Sequence, residues 1–285
     1  MLQRDLYAVG ARIRMLQPTL TELEGRVVEA LLQPSFGPET SLKDISSAAD
    51  ASEAMIVKTA KKLGFSGFRD CRARLGEYHS LPSTSLHQEV RPTDSSVQIL
   101  SKVFNTAIQA IQETLAIIDV KIFERVVQSL FDARNRDLYG VGGSAQIAKD
   151  VSHKFLRIGV RSAVYDDAHM MLMSASLLGR GDIAIGFSHS GRTTAVIDAL
   201  RLARESGATT IAITNFAGSP LTKVAELVLC STARGSPLLG ENAAARVAQL
   251  NILDAIFAAL AQKDYESAED NLRRTSQAVR SKREK

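Results

Sequence analysis

Two short stretches of this 285-residue chain carry groups suited to holding a phosphate. One is Ser188-His189-Ser190-Gly191-Arg192-Thr193-Thr194. Hydroxyls at Ser188, Ser190 and Thr193 flank a single turn there, and each can donate to an anion beside backbone N–H groups. The other is Gly140-Val141-Gly142-Gly143-Ser144, whose glycines let the backbone approach an anion closely. Both stretches follow an apolar, β-branched run and precede a helical pattern. Each therefore delivers a helix N-terminus, with unpaired N–H groups and a partial positive charge. A dinucleotide fingerprint would need a further glycine where Ala145-Gln146 stand. A helix start without any ligand is the alternative for either loop.

The elements that position these loops follow from the hydrophobic pattern. The runs at 136–141, 161–166, 182–188, 209–214 and 227–230 read as buried strands. Helical stretches near 144–158, 168–178, 193–206 and 220–225 alternate with them, and a last long helix covers about 242–261. Such alternation needs crossovers, and crossovers make a parallel sheet covered on both faces. Both loops then lie at carboxyl ends of strands, where open α/β sheets bind ligands. A helical pair over 97–130, broken near Asp119, precedes the first strand.

The N-terminal part has a different character. Ser41 and Ser52 are N-cap residues for two short helices, the first burying Leu42, Ile45 and Ala49, the second Ile56, Ala60 and Leu63. Gly64 closes the second helix as a left-handed cap. Two short helices joined by a tight turn at Asp50-Ala51 make a helix-turn-helix, packed on a helix over about 21–32. Its second helix would enter the major groove of duplex DNA. Ser52, Glu53 and Met55 would then meet base edges, and Lys58, Lys61 and Lys62 phosphates. Over residues 1–80, 11 Lys or Arg face 10 Asp or Glu, so net charge adds no argument for DNA.

The totals narrow the class. Net charge is +4, Trp is absent and aromatic residues make up 5%, which leaves few rings to stack on unpaired bases. Cys71 and Cys230 stand alone, without the spacing of a disulfide framework or a zinc site. No metal or other cofactor is expected. No run of about 18 apolar residues suggests a membrane partner, and a cytoplasmic location is expected. The Ser-, Thr- and Pro-rich segment 79–97 reads as a linker. This gives a helix-turn-helix domain at 1–78, an α/β domain at 98–265 and a basic tail at 266–285.

The paired motifs SxSGxT and GxGGS resemble the sugar isomerase (SIS) domain, and the helix-turn-helix ending in KKLGFSGFRD resembles the RpiR family of transcriptional regulators. The resemblance spans about residues 20–260. It implies an all-α N-terminal domain and a C-terminal five-stranded αβα sandwich of flavodoxin-like order. It implies a sugar's phosphate held by Ser188, Ser190 and Thr193, with His189 and Gly191 supplying backbone and Ser144 completing the site. Operator DNA, a homodimer or tetramer with an SIS–SIS interface, and repression of ribose- or allose-type catabolism genes also follow from it. The effector would be of the ribose 5-phosphate or allose 6-phosphate type. An isomerase would need a general base, for which Glu241, His153, His169 and His189 are candidates. The attached DNA-binding domain favours a sensor over an enzyme. An SIS-type isomerase and a scaffold that does not bind DNA are the alternatives.

Overall fold

The computed structural model describes residues 2–33, 35–81, 90–233 and 243–282. Most of the expected linker, and Glu241 with the segment before it, lie outside that set. The chain divides into two units: residues 1–117 with 216–218 and 231–248, and residues 118–215 with 219–230 and 249–285.

The first unit is helical: α1 (Leu2–Leu16), α2 (Glu22–Leu31), α3 (Leu42–Ala49), α4 (Glu53–Lys62), α5 (Phe68–His79) and α6 (Ser96–Ile117). Its starts are written in the sequence. Thr21 and Glu24 form a reciprocal capping box on α2, as Ser41 and Asp44 do on α3, and Ser52 caps α4. Val27, Val28, Leu31, Ile45, Ile56 and Leu75 are buried together in its core. The spacing at 97–130 predicted a helical pair inside the C-terminal domain. Its first helix, α6, instead packs along α1 and falls in the N-terminal unit.

The α1–α6 contact encloses a polar network. Arg14 ion-pairs with Glu113, and the Tyr78 hydroxyl donates to Glu113 Oε1 at 2.6 Å. Gln109 Nε2 donates to both, at 3.0 Å to Tyr78 and 2.8 Å to Glu113. All four residues are buried. Gly10 makes room for them, because an added Cβ there would collide with the Tyr78 ring. One network thus joins α1, α5 and α6.

In the second unit, α7 (Val120–Asp132) leads into β1 (Arg136–Gly140), α8 (Gly143–Arg157), β2 (Ala163–Tyr165), α9 (Ala168–Leu177) and β3 (Ile183–Phe187). It continues through α10 (Thr194–Glu205), β4 (Thr209–Thr214), α11 (Pro220–Val224), β5 (Leu227–Cys230), α12 (Ala243–Lys263) and α13 (Tyr265–Ala278). Asp119, where the sequence breaks, caps α7 through the N–H groups of Lys121 and Ile122. The five strands are parallel in the order β2-β1-β3-β4-β5.

Alternation along the strands feeds two cores. Leu138, Ile185, Phe187 and Ile213 face α7, α8 and α12 on one side of the sheet. Tyr139, Ala184 and Ala212 face α9, α10 and α11 on the other. α12 is long and apolar enough to cross a membrane, a length the sequence reading had found nowhere. Its Ile252, Leu253, Ile256 and Leu260 are buried against the sheet, as in a core helix. The expected basic tail is also largely α13, held by Leu272 against the core and by Asn271 Nδ2 donating to the Ile158 carbonyl.

Removing one member of a buried ion pair strands the other without water. Glu113→Ala should therefore cost the N-terminal unit about 3–5 kcal/mol in urea unfolding. A loss under 1 kcal/mol would mean that the network does not hold α1 to α6.

Candidate functional site

The carboxyl ends of β1 and β3 are neighbours, with Gly140 in register with Phe187. From β1 the chain crosses one face to β2, and from β3 it crosses the other face to β4. The loops at 141–144 and 188–193 therefore leave a crevice at the switch point of the sheet. The two loops named from the sequence come together there.

The 188–193 loop is tightly built. Ser188 is buried, donates its N–H to the Ile213 carbonyl and accepts the Gly191 N–H on its own carbonyl. Its hydroxyl lies 3.0 Å from the Thr193 hydroxyl. The Ser190 hydroxyl accepts the Arg192 N–H at 3.2 Å. The His189 carbonyl accepts from the Asn215 N–H and the Thr214 hydroxyl, which turns the backbone of this residue into the fold. Gly191 has φ +63° and lies against Ser219, where an added Cβ would collide. Of the ligands expected from the sequence, Ser190 and Thr193 are half-buried at the loop surface, whereas Ser188 is buried and braces Thr193.

What remains open is the start of α10. Its N-cap Thr193 makes no side-chain cap bond, because that hydroxyl is turned to Ser188. The N–H groups of Thr194, Ala195 and Val196 meet no acceptor among the described residues. α8 likewise has no side-chain cap, its N-cap being Gly142 with φ +58°. α2, α3, α4, α7, α9 and α13 are capped by Thr, Ser or Asp side chains, whereas α5 and α11 share with α8 and α10 the lack of a side-chain cap. Gly140 allows the turn at β1, since an added Cβ would meet the Ser144 backbone at 2.9 Å. Ser144 is half-buried at the first turn of α8. At α8 the Ser144 and Ala145 N–H groups close onto the Val141 and Gly142 carbonyls, so the donors without acceptors are those at the start of α10, and these suit an anion.

Of the candidate bases, only His189 is in the 188–193 loop among the described residues, and its carbonyl is turned into the fold. His153 and His169 are exposed on α8 and α9, and Glu241 lies outside the described residues. No group of three or more His, Cys, Asp or Glu able to hold a metal occurs among the described residues. Burial pushes both thiols, Cys71 and Cys230, up to about 12, which keeps them protonated and unreactive.

In the helical unit, α3 and α4 are joined by Asp50 with φ 47° and ψ 53°, the one non-glycine residue with positive φ among those described. Asp replaces the glycine usual at such a turn because its short polar side chain tolerates this region. Gly64, with φ +92°, closes α4 as expected. Ile56, Thr59 and Ala60 face the core, so the outward face carries Ser52, Glu53, Ala54, Lys58 and Lys61. Ala54 was missed by the sequence reading, although it lies one turn before Lys58.

Two expected contacts are corrected by the geometry. Met55 is half-buried against the core. Lys62 donates to Glu24 at 2.6 Å and to the Thr19 carbonyl at 3.0 Å, so its ammonium ties α4 to α2. Sequence periodicity put Lys62 outside but could not reveal the carboxylate waiting on another helix. The hydrogen bond from Lys62, and after it the one from the Thr21 backbone, hold the Glu24 carboxyl below its usual 4.5.

Comparison with known proteins adds the following. The helix-turn-helix domain model of the rpiR family matches residues 8–82, and the SIS domain model matches residues 129–259. The HTH-type transcriptional regulator RpiR of Escherichia coli is 46% identical over 268 residues, covering 94% of this chain and 90% of that protein. An uncharacterized HTH-type transcriptional regulator of Caldanaerobacter subterraneus is 31% identical, covering 96% and 97%. Among solved structures, the Vibrio vulnificus NanR protein complexed with ManNAc-6P is similar at TM-score 0.60 and 25% identity, covering 95% of this chain and 97% of that one.

Two outcomes follow from the geometry. Asp50→Val should destabilise the helical unit by about 1–2 kcal/mol in thermal or denaturant unfolding, since a β-branched residue is strained at positive φ; an unchanged midpoint would refute the strained turn. Glu24 has a lowered folded pKa, so its stabilisation is present above 4.5 and fades as pH falls below that value. Glu24→Gln should accordingly lower Tm at neutral pH, and the gap to wild type should close in acid. A gap independent of pH would show that the charge of Glu24 is not what ties α4 to α2.

Proposed function

We infer the function from a plain premise: the chain belongs to the RpiR family of helix-turn-helix transcriptional regulators and carries an SIS domain. It is a regulator that binds double-stranded operator DNA through α4 and responds to a phosphorylated sugar at the switch-point crevice. The observation that carries the reading is the pair of uncapped helix starts at that crevice, in a chain that also presents a helix-turn-helix.

The assignments are as follows. The phosphate takes the N–H groups at the start of α10 and the hydroxyls of Ser190 and Thr193, with Ser188 bracing Thr193 and Ser144 on the far side. His189 and Gly191 shape the loop. Glu241 is the carboxylate assigned to the sugar end. On DNA, Ser52, Glu53 and Ala54 face the bases, and Lys58 and Lys61 meet phosphates. The protein acts in the cytoplasm as a homodimer or tetramer on a two-fold operator, and the sugar relieves repression of ribose- or allose-type catabolism genes. It is a sensor and not an isomerase. The effector works only through unequal affinity for the two conformations of the regulator.

The test separates the two sites. Hydrogen bonds to a charged phosphate are worth about 1.5–3 kcal/mol each. Ser190→Ala with Thr193→Val should therefore weaken calorimetric binding of ribose 5-phosphate or allose 6-phosphate at least tenfold while operator affinity stays at the wild-type level. Lys58→Ala should do the opposite: weaker operator binding, with a salt slope shallower by about 0.9 per lost contact. Full sugar-phosphate affinity in the Ser190/Thr193 variant would overturn the site assignment. An unchanged salt slope in Lys58→Ala would remove α4 from the DNA surface.

A further inference from the structure

α6 is amphipathic the wrong way round. Its two charged residues, Lys102 and Glu113, both point into the protein, Lys102 paired with Asp94 at 2.6 Å and Glu113 with Arg14. Thr106, Gln109 and Thr114 are buried with them. The opposite face carries Val97, Leu100, Phe104, Ile108 and Leu115, exposed by 73%, 60%, 66%, 48% and 63%. Half-buried Ile111 completes the row. At 100° per residue these six lie within about a third of the helix circumference. They form a continuous ridge with no charge on it.

A surface helix normally turns its apolar stripe to the core and its charges to water. The exposed parts of the five most open side chains come to roughly 600 Å² of nearly contiguous surface, at the upper end of what a monomer leaves bare. That area is close to the ~800 Å² each partner contributes to a standard interface.

We propose that this ridge of α6 is the seam on which a second copy of the chain docks, α6 against α6. The proposal deepens the homo-oligomer reading above and rests on it. Three features select a second copy over another occupant. A two-fold contact brings the same patch to both sides, so a patch free of charge meets no repulsion from itself. The spacing supplies alternating seam positions, Val97, Ser101, Phe104, Ile108, Ile111 and Leu115, at the three- and four-residue steps by which two helices interlock. The area supplies about three quarters of the ~800 Å² that one side of a standard contact contributes. The buried polar network on the other face of α6 then fixes the helix to α1 and α5, and so to the DNA-binding helices of its own copy.

The test uses full-length protein. Light scattering at micromolar concentration gives the mass of the wild type and of Phe104→Glu with Ile108→Glu. Both positions are exposed, so the variant should fold, with a far-UV circular dichroism spectrum like that of the wild type. The wild type should be an oligomer, and the variant should drop to half its mass or less. Ile108→Cys provides a second reading that leaves the seam apolar: under mild oxidation it should give a disulfide-linked dimer that wild type, with Cys71 buried and Cys230 half-buried, does not form. An oligomeric wild type whose mass survives the double substitution, with no cross-link at Ile108→Cys, overturns the seam and leaves the oligomer. A monomeric wild type overturns both, and association of that monomer with lipid vesicles, lost on Phe104→Glu, would assign the ridge to a membrane surface.

Discussion

The geometry of the candidate site depends on a topological constraint. Parallel strands must be joined by crossovers of one hand, so stepping left from β1 to β2 and right from β3 to β4 sends the two crossovers to opposite faces. The chains leaving β1 and β3 part at that point, and nothing in the sheet fills the gap. The residues around the gap are chosen accordingly. Gly140 lets the turn after β1 fold onto the Ser144 backbone, and Gly191 takes a positive φ against Ser219 where a side chain would not fit. Thr193 spends its hydroxyl on Ser188 and not on its own helix. The result is donors without acceptors at a place where a ligand can enter.

The helical unit solves a different problem. It must present α4 to a partner on one side while being gripped firmly on the other. Apolar packing of Val27, Val28, Leu31 and Ile56 sets the helix-turn-helix. The Lys62–Glu24 pair, with a second bond from Lys62 to the Thr19 carbonyl, fixes the end of α4. The Arg14–Glu113–Tyr78–Gln109 network is more demanding, because buried charges are tolerated only when every partner is in place. Helices α1, α5 and α6 therefore have one way to fit together. A rigid connection of this kind is what a regulator needs if movement at one end is to be felt at the other.

Much of this was legible in the sequence, for local reasons. Ser41, Ser52 and Asp119 announce helix starts by a bond made within three residues, and strands buried on both faces reveal themselves as unbroken apolar runs. The two loops of the candidate site stood out because hydroxyls and glycines cluster within one turn. What escaped depends on distant partners. α1 was not foreseen, since Gly10 and Arg14 interrupt its apolar pattern; both are explained only by Tyr78 and Glu113, far along the chain. Met55 and Lys62 have the right phase for a DNA surface, yet core packing and Glu24 claim them. The inverted polarity of α6 misled in the same way, placing that helix with the sheet when its polar face belongs to α1.

The central claim is that one chain couples a DNA-binding helix to a sugar-phosphate crevice, and fluorescence anisotropy on duplex DNA from upstream of its own gene tests it most directly. At fixed salt, the account predicts sequence-specific binding that one member of a phosphosugar panel releases, while the matching unphosphorylated sugar does not. Binding no tighter than to random duplex, or specific binding that no phosphosugar alters, would contradict it.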